Sequence, residues 1–237
     1  TLTMITVLIA GILGFIISFS AIPLFIKQMQ KLKLGQLIRE EGPAAHQHKA
    51  GTPTMAGLIF IPAAVVAYLL ALLINAAVFG TSPVPSATAL LTLGFTLGML
   101  GVGAADDIMK FRNQGNEGLT ENQKTIGLLA VTLPFAYLVF QFPNGGGVPP
   151  ASTAISFVRD LPFDFMAAGA IGGTILMVLW ITLISLSGTN AVNFTDGLDG
   201  LAGGATMTIF TGYLAMTIWQ YVHACSGGAG NACYDVR

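Results

Sequence analysis

The stretch ATALLTLGFTLGMLGVGAADDIMK, residues 87–110, carries two messages in a row. Up to Ala105 it is apolar over roughly the 20 residues that a helix needs to cross a bilayer. It then runs straight into two adjacent carboxylates, Asp106 and Asp107. Five further apolar segments lie outward from it, at 4–26, 55–79, 126–142, 165–186 and 201–222, and the one at 126–142 is the shortest. The whole chain is 54% hydrophobic and only 9% charged, against about 25% charged for a soluble domain. In lipid the backbone must satisfy its own hydrogen bonds, so each apolar segment is expected to be a helix. The expected fold is all-α: a single polytopic integral membrane domain over 1–237, with about six transmembrane helices. A net charge of -1 and the lack of a basic tail give no reason to expect a nucleic-acid partner. No period of 20–50 residues signals a repeat array.

Lysine and arginine set the orientation. The first segment has no basic residue ahead of it and Lys27 just after it, which suits an anchor with its N-terminus outside. Loops 27–54, 106–125 and 187–200 then face the cytoplasm. They hold Lys27, Lys31, Lys33, Arg39, Lys49, Lys110, Arg112 and Lys124, while the outer segments hold only Arg159 and Arg237. Three polar loops thus meet at one membrane face. On the other side, 143–164 reads as a Gly/Pro-rich connection with a short hairpin. Cys225 and Cys233 lie on that oxidising side, where a disulfide can form; their spacing fits no zinc pattern.

Each inner loop carries polar chemistry. Asp106 and Asp107 repel each other, and a helix C-terminus disfavours anions, so a solvated helix end explains the pair poorly. A cation relieves the repulsion, and Mg²⁺ takes one or two carboxylates together with substrate phosphates. Lys110 follows at three and four residues, the spacing of one helix face. In GPAAHQHKAGTPTMAG, residues 42–57, Thr54 is a candidate N-cap for the second span, and His46 and His48 read more simply as polar loop residues than as metal ligands. In GLTENQK, residues 118–124, Lys124 is either a positive-inside anchor or a phosphate contact. NAVNFTDGLDGLAGG, residues 190–204, reads as a tight Gly-rich turn displaying Asn190, Asn193, Asp196 and Asp199. Its Asn-Phe-Thr sequon faces the cytoplasm and is rejected as a glycosylation site. Its Asp-Gly-Leu-Asp-Gly run lacks the ligands of a calcium loop, with Met207 where the Glu should stand.

Taken together, the three loops resemble the polyprenyl-phosphate N-acetylhexosamine-1-phosphate transferases. The resemblance covers the whole chain in order. Departures are small: Ala56 for a usual Gly, Ala104 and Ala105 for bulkier residues, Phe194 for a usual Leu. The Lys-x-Gly-Thr-Pro-Thr-Met core points to the branch that uses UDP-MurNAc-pentapeptide and undecaprenyl phosphate, giving lipid I and UMP in the bacterial inner membrane. The resemblance implies Mg²⁺ as cofactor, a cytoplasmic active site and a homodimer. It makes Asp106 and Asp107 the catalytic pair, with Asp107 and Asn193 as metal ligands. It makes Lys49, Thr52, Lys110, Lys124, Asn190, Asp196 and Asp199 substrate contacts, the lysines toward phosphate. The pair could serve as general base or as covalent nucleophile, but a lipid phosphate is already mostly dianionic at pH 7, so direct attack is favoured, with Asp106 or Asp107 orienting the lipid phosphate and the metal.

The family is expected to have ten spans, and two of its later motifs, a Phe-Met-Gly-Asp loop and a His-rich loop, are not found. The chain therefore reads as an N-terminal portion, expected to be inactive alone. The rival readings are a UDP-GlcNAc or UDP-GalNAc phosphotransferase, a cation transporter and a catalytically incomplete membrane scaffold. The acidic groups at segment ends on one face suit an interfacial site better than a midplane transport site.

Overall fold

The computed structural model describes residues 2–32, 55–113, 118–144, 147–156, 160–196, 200–225 and 233. The described residues divide into two compact units, Thr1–Val131 and Thr132–Arg237. Six α-helices account for most of them: α1 (Leu2–Lys31), α2 (Gly57–Phe79), α3 (Ala87–Arg112), α4 (Glu121–Leu138), α5 (Ala170–Thr195) and α6 (Leu201–Val222). All but α4 are long and apolar enough to cross a membrane. α4 opens on Glu121, Asn122, Gln123 and Lys124, which dilutes its apolar run. The protein is an all-α polytopic membrane protein. Large apolar side chains such as Phe15, Phe19, Ile171 and Phe210 are two-thirds exposed or more, which water would penalise and a lipid environment does not.

In the first unit the helices pack on small residues. Ala63, Ala67, Ala71 and Asn75 recur every four residues and are the buried positions of α2. Gly14 of α1 comes so close that an added Cβ would lie 3.6 Å from the Ala67 Cβ. The Asn75 amide donates to the Thr6 hydroxyl. Position 14 opposite 67 and 6 near 75 makes the pair antiparallel. Close backbone approach on small residues is how helices associate where no hydrophobic effect drives them together. α3 and α4 use the same device. A Cβ on Gly98 would lie 2.7 Å from a Val131 methyl, and one on Gly127 would lie 3.3 Å from the Val102 methyls. These two contacts run in opposite directions along the helices, so α3 and α4 are antiparallel.

In the second unit the expected hairpin is present. β1 (Ala154–Ser156) pairs antiparallel with β2 (Asp160–Asp164). A short 3-10 turn, Phe165–Ala168, leads to Gly169, whose φ of 82° is open to glycine and breaks the chain before α5. Cys225 and Cys233 are joined in a disulfide.

Several expected boundaries need correction. The third helix does not stop at Ala105: it continues to Arg112 and is capped at Asn113, whose N–H reaches the Met109 carbonyl. Lys110 and Arg112 fall in its last turn, where cations are favoured. The fourth helix covers Glu121–Leu138 rather than 126–142. The fifth begins at Ala170, not 165, and outruns its apolar segment to reach Thr195. Hydropathy marks the membrane-facing part of each helix, not its ends. α2 has Ala56 at its N-cap, with no side-chain cap bond; the expected cap Thr54 lies outside the described residues, as do Lys49, Thr52 and Asp199.

Candidate active site

The helical continuation of α3 decides what the aspartate pair can do. Asp106, Asp107 and Lys110 sit on the last turns of one helix, so Lys110 reaches both carboxylates. Its Nζ lies 2.7 Å from Asp106 Oδ2 and 3.1 Å from Asp107 Oδ1. The cation that relieves the carboxylate repulsion is thus the protein's own ammonium. The Asp-to-Lys order at i, i+4 is the favourable one. With the Lys110 side chain 39% exposed, such a pair contributes only about 0.5 kcal/mol to stability. Its larger consequence is geometric, because it fixes where the charges stand.

The two carboxylates are not equivalent. The Asp106 side chain is 13% exposed and both its oxygens are engaged: Oδ2 by Lys110, Oδ1 by the backbone N–H of Leu119 at 2.9 Å. Leu119 lies just ahead of α4, so Asp106 faces the N-terminal end of that helix, where partial positive charge favours an anion. The charge of Lys124, in the first turns of α4, also acts on Asp106. The Asp107 side chain is 30% exposed and touches Lys110 through one oxygen only. Its other oxygen has no partner among the described residues.

The expected turn at 190–204 is mostly helix. Asn190 and Asn193 lie on the last turns of α5 and Asp196 is its C-cap. At spacings of three they form a row along one side of the helix end, and all three are exposed. The Asn190 amide already donates to the Leu186 carbonyl at 2.9 Å. Asn193 and Asp196 have no side-chain partner among the described residues. Phe194, between them, is 83% exposed.

No group of three or more His, Cys, Asp or Glu residues that could hold a metal occurs among the described residues. The donors do fit an ion shared with a ligand. Asp107 offers a hard oxygen with no partner among the described residues, and Mg²⁺ commonly takes one or two carboxylates and completes its shell with phosphates and water. Two contributors escaped the sequence reading, the Leu119 N–H and Gly118 beside it. The Thr-x-x-Gln signature at 120–123, which marks a helix start, was the signal that could have found them.

Residues 89–230 match the model of glycosyl transferase family 4. The chain belongs to glycosyl transferase family 4. This family match takes in the aspartate pair, Lys110, Lys124 and the whole row at the end of α5. Among curated proteins, the chain is 44% identical over 234 residues to the phospho-N-acetylmuramoyl-pentapeptide-transferase of Kocuria rhizophila. That alignment covers 99% of this chain and 62% of the relative. The proteins of the same name from Paenarthrobacter aurescens and Corynebacterium jeikeium are 44% and 42% identical, again over 99% of this chain and 64% of their own length. The chain therefore spans less than two thirds of these family 4 relatives.

Proposed function

We propose that the chain forms part of a phospho-N-acetylmuramoyl-pentapeptide transferase, carrying its aspartate site. The single observation behind this reading is the clasp at the end of α3. Lys110 is shared by two carboxylates, Asp106 is engaged through both oxygens, and the second oxygen of Asp107 has no partner among the described residues. The names of the relatives supply the transferred group, phospho-N-acetylmuramoyl-pentapeptide; UDP-MurNAc-pentapeptide is the proposed donor and undecaprenyl phosphate the proposed acceptor.

In the proposed reaction a phosphate oxygen of the lipid attacks the β-phosphorus of the nucleotide sugar. The bond to the bridging oxygen breaks and UMP leaves with that oxygen and its electron pair. Phosphoryl transfer of this kind depends on positioning and charge neutralisation more than on covalent help from the protein. Asp107 orients the phosphates and is the proposed Mg²⁺ ligand on α3. Asn193 is the proposed metal or pyrophosphate ligand on α5. When bound, Mg²⁺ supplies the positive charge that a pyrophosphate needs as its leaving group departs. Lys110 and Lys124 hold phosphate charge near the pair, and Lys49 and Thr52 are proposed to do the same. Asp196 and Asp199 contact the nucleotide sugar. Asn190 is a proposed substrate contact through the amide oxygen and the N–H that its Leu186 bond leaves over.

The proposed setting is the bacterial inner membrane with this face cytoplasmic. The lysine and arginine distribution supports that orientation, as does a disulfide at the far end of α6, on the oxidising side. A homodimer is part of the same reading.

The test is UMP release in detergent from UDP-MurNAc-pentapeptide and undecaprenyl phosphate. The chain would be run alone and joined to the part of the Kocuria rhizophila relative that it does not cover. The expected result is Mg²⁺-dependent release, abolished by chelator, in the joined form only. Release from UDP-GlcNAc but not from the MurNAc nucleotide would overturn the substrate assignment. No release from any nucleotide sugar would overturn the reading.

A further inference from the structure

Asp106 is held from a direction that the aspartate pair alone does not explain. Its Oδ1 accepts the N–H of Leu119, a residue beyond the end of α3. Beside Leu119, the chain passes so close that a Cβ on Gly118 would lie 2.8 Å from the Asp106 carbonyl oxygen and collide with Oδ1. Gly118 is not among the glycines with positive φ. Close approach, not backbone freedom, is what requires glycine here.

On the other side of Leu119 the chain is fixed by a capping box. The Thr120 N–H donates to Gln123 Oε1 at 3.0 Å, and the Gln123 N–H donates to Thr120 Oγ1 at 3.3 Å. The box sets where α4 starts and so where the Leu119 N–H points. A small residue, a donor and a cap thus occur in six consecutive positions, 118–123, and all serve one carboxylate.

We propose that segment 118–123 is a positioning latch for the aspartate pair. It locks the Asp106 carboxylate against α4, so that Lys110 bridges the pair in one arrangement and Asp107 keeps an oxygen outward. Without the latch, two adjacent carboxylates compete for one ammonium, and either can take it. Gly118 and Gln123 are positioning residues: they act through Asp106. The contact itself is independent of any activity. Its kinetic consequence rests on the transferase reading.

A structural clasp and a positioning latch differ in what they change, so the test has two arms. The first is thermal unfolding of the 237-residue chain in detergent, in a cycle of Gly118→Ala, Asp106→Ala and both. Gly118→Ala is expected to lower Tm by about 4 °C or more. In the Asp106→Ala background that loss should shrink by about half, because the side-chain part of the collision is gone. An equal loss in both backgrounds would overturn the latch.

The second arm measures UMP release in the chain joined to the uncovered part of the Kocuria rhizophila relative. Gly118→Ala should lower kcat about 10-fold, with KM for the nucleotide sugar within about twofold, as expected when positioning rather than binding is lost. Gln123→Ala, an exposed and milder change, should lower kcat about threefold in the same pattern; it carries the test if Gly118→Ala does not fold. Unchanged kcat in folded variants would reduce 118–123 to a clasp and overturn the proposal. If the wild type releases no UMP, the transferase reading fails, and the latch then stands or falls on the thermal cycle alone.

Discussion

The ends of α3 and α5 both carry a cluster of polar side chains, yet the two are built in opposite ways. At the end of α3 the charged groups hold one another in place: Lys110 bridges the carboxylates and the Leu119 N–H takes the remaining oxygen of Asp106. At the end of α5 the row of Asn190, Asn193 and Asp196 is exposed, and its side-chain bonding among the described residues is to its own helix. The first cluster is organised before any ligand arrives; the second has groups to spare for one. Organisation in advance is what charge stabilisation of a transferring phosphoryl group requires. A binding surface for a sugar nucleotide can be left open. Substitutions at the end of α3 should therefore act on turnover, and substitutions at the end of α5 on substrate binding.

The largest effect is expected at Asp107, whose second oxygen has no partner among the described residues. Asp107→Asn keeps the shape and removes the charge. UMP release in the joined form should fall about 100-fold, equivalent to about 2.7 kcal/mol of barrier. Tm should hardly move, because the one Asp107 side-chain contact among the described residues, to Lys110, is partly exposed. Near-wild-type turnover would remove Asp107 from the mechanism and the contrast between the two helix ends with it. Next comes Lys110→Met, which leaves adjacent carboxylates without their shared ammonium. Turnover should drop about 10-fold and Tm by about 2–4 °C, and Lys110→Arg should recover part of both. If Lys110→Met changes neither, the ammonium is a surface charge and does not hold the pair.

Sequence alone made much of this legible, for a definite reason. Asp106, Asp107 and Lys110 lie within one helical turn, so spacing is enough to place them on one face. The apolar segments located every helix for the same reason, since composition reports burial in lipid. The helix ends were hidden because a helix outlasts its apolar run. Residues 106–112 contain neither Gly nor Pro, and Gly188 alone does not stop α5 before Thr195. The grip on Asp106 was hidden for another reason. Its donor is a backbone N–H, which every residue but proline has, and its room comes from a glycine whose need is visible only once two helices are packed.

The smallest effects separate neighbours within the open row. Asn193 has no side-chain partner among the described residues, so Asn193→Ala removes nothing from the fold. If it holds pyrophosphate or metal, KM for the nucleotide sugar should rise about 5- to 10-fold with no loss of Tm, the scale of one typical hydrogen bond. Asn190 differs although it lies only one turn away. Its amide nitrogen is spent on the Leu186 carbonyl, a bond that competes with the helix rather than supporting it. Asn also has lower helix propensity than Ala, by roughly 0.5 kcal/mol. Asn190→Ala should therefore leave UMP release within about twofold and raise Tm by about 1–2 °C. A KM increase at Asn190 as large as that at Asn193 would mean that substrate binding pulls the amide off Leu186. The end of α5 would then rearrange around its ligand, and the row would be an induced site rather than an open one.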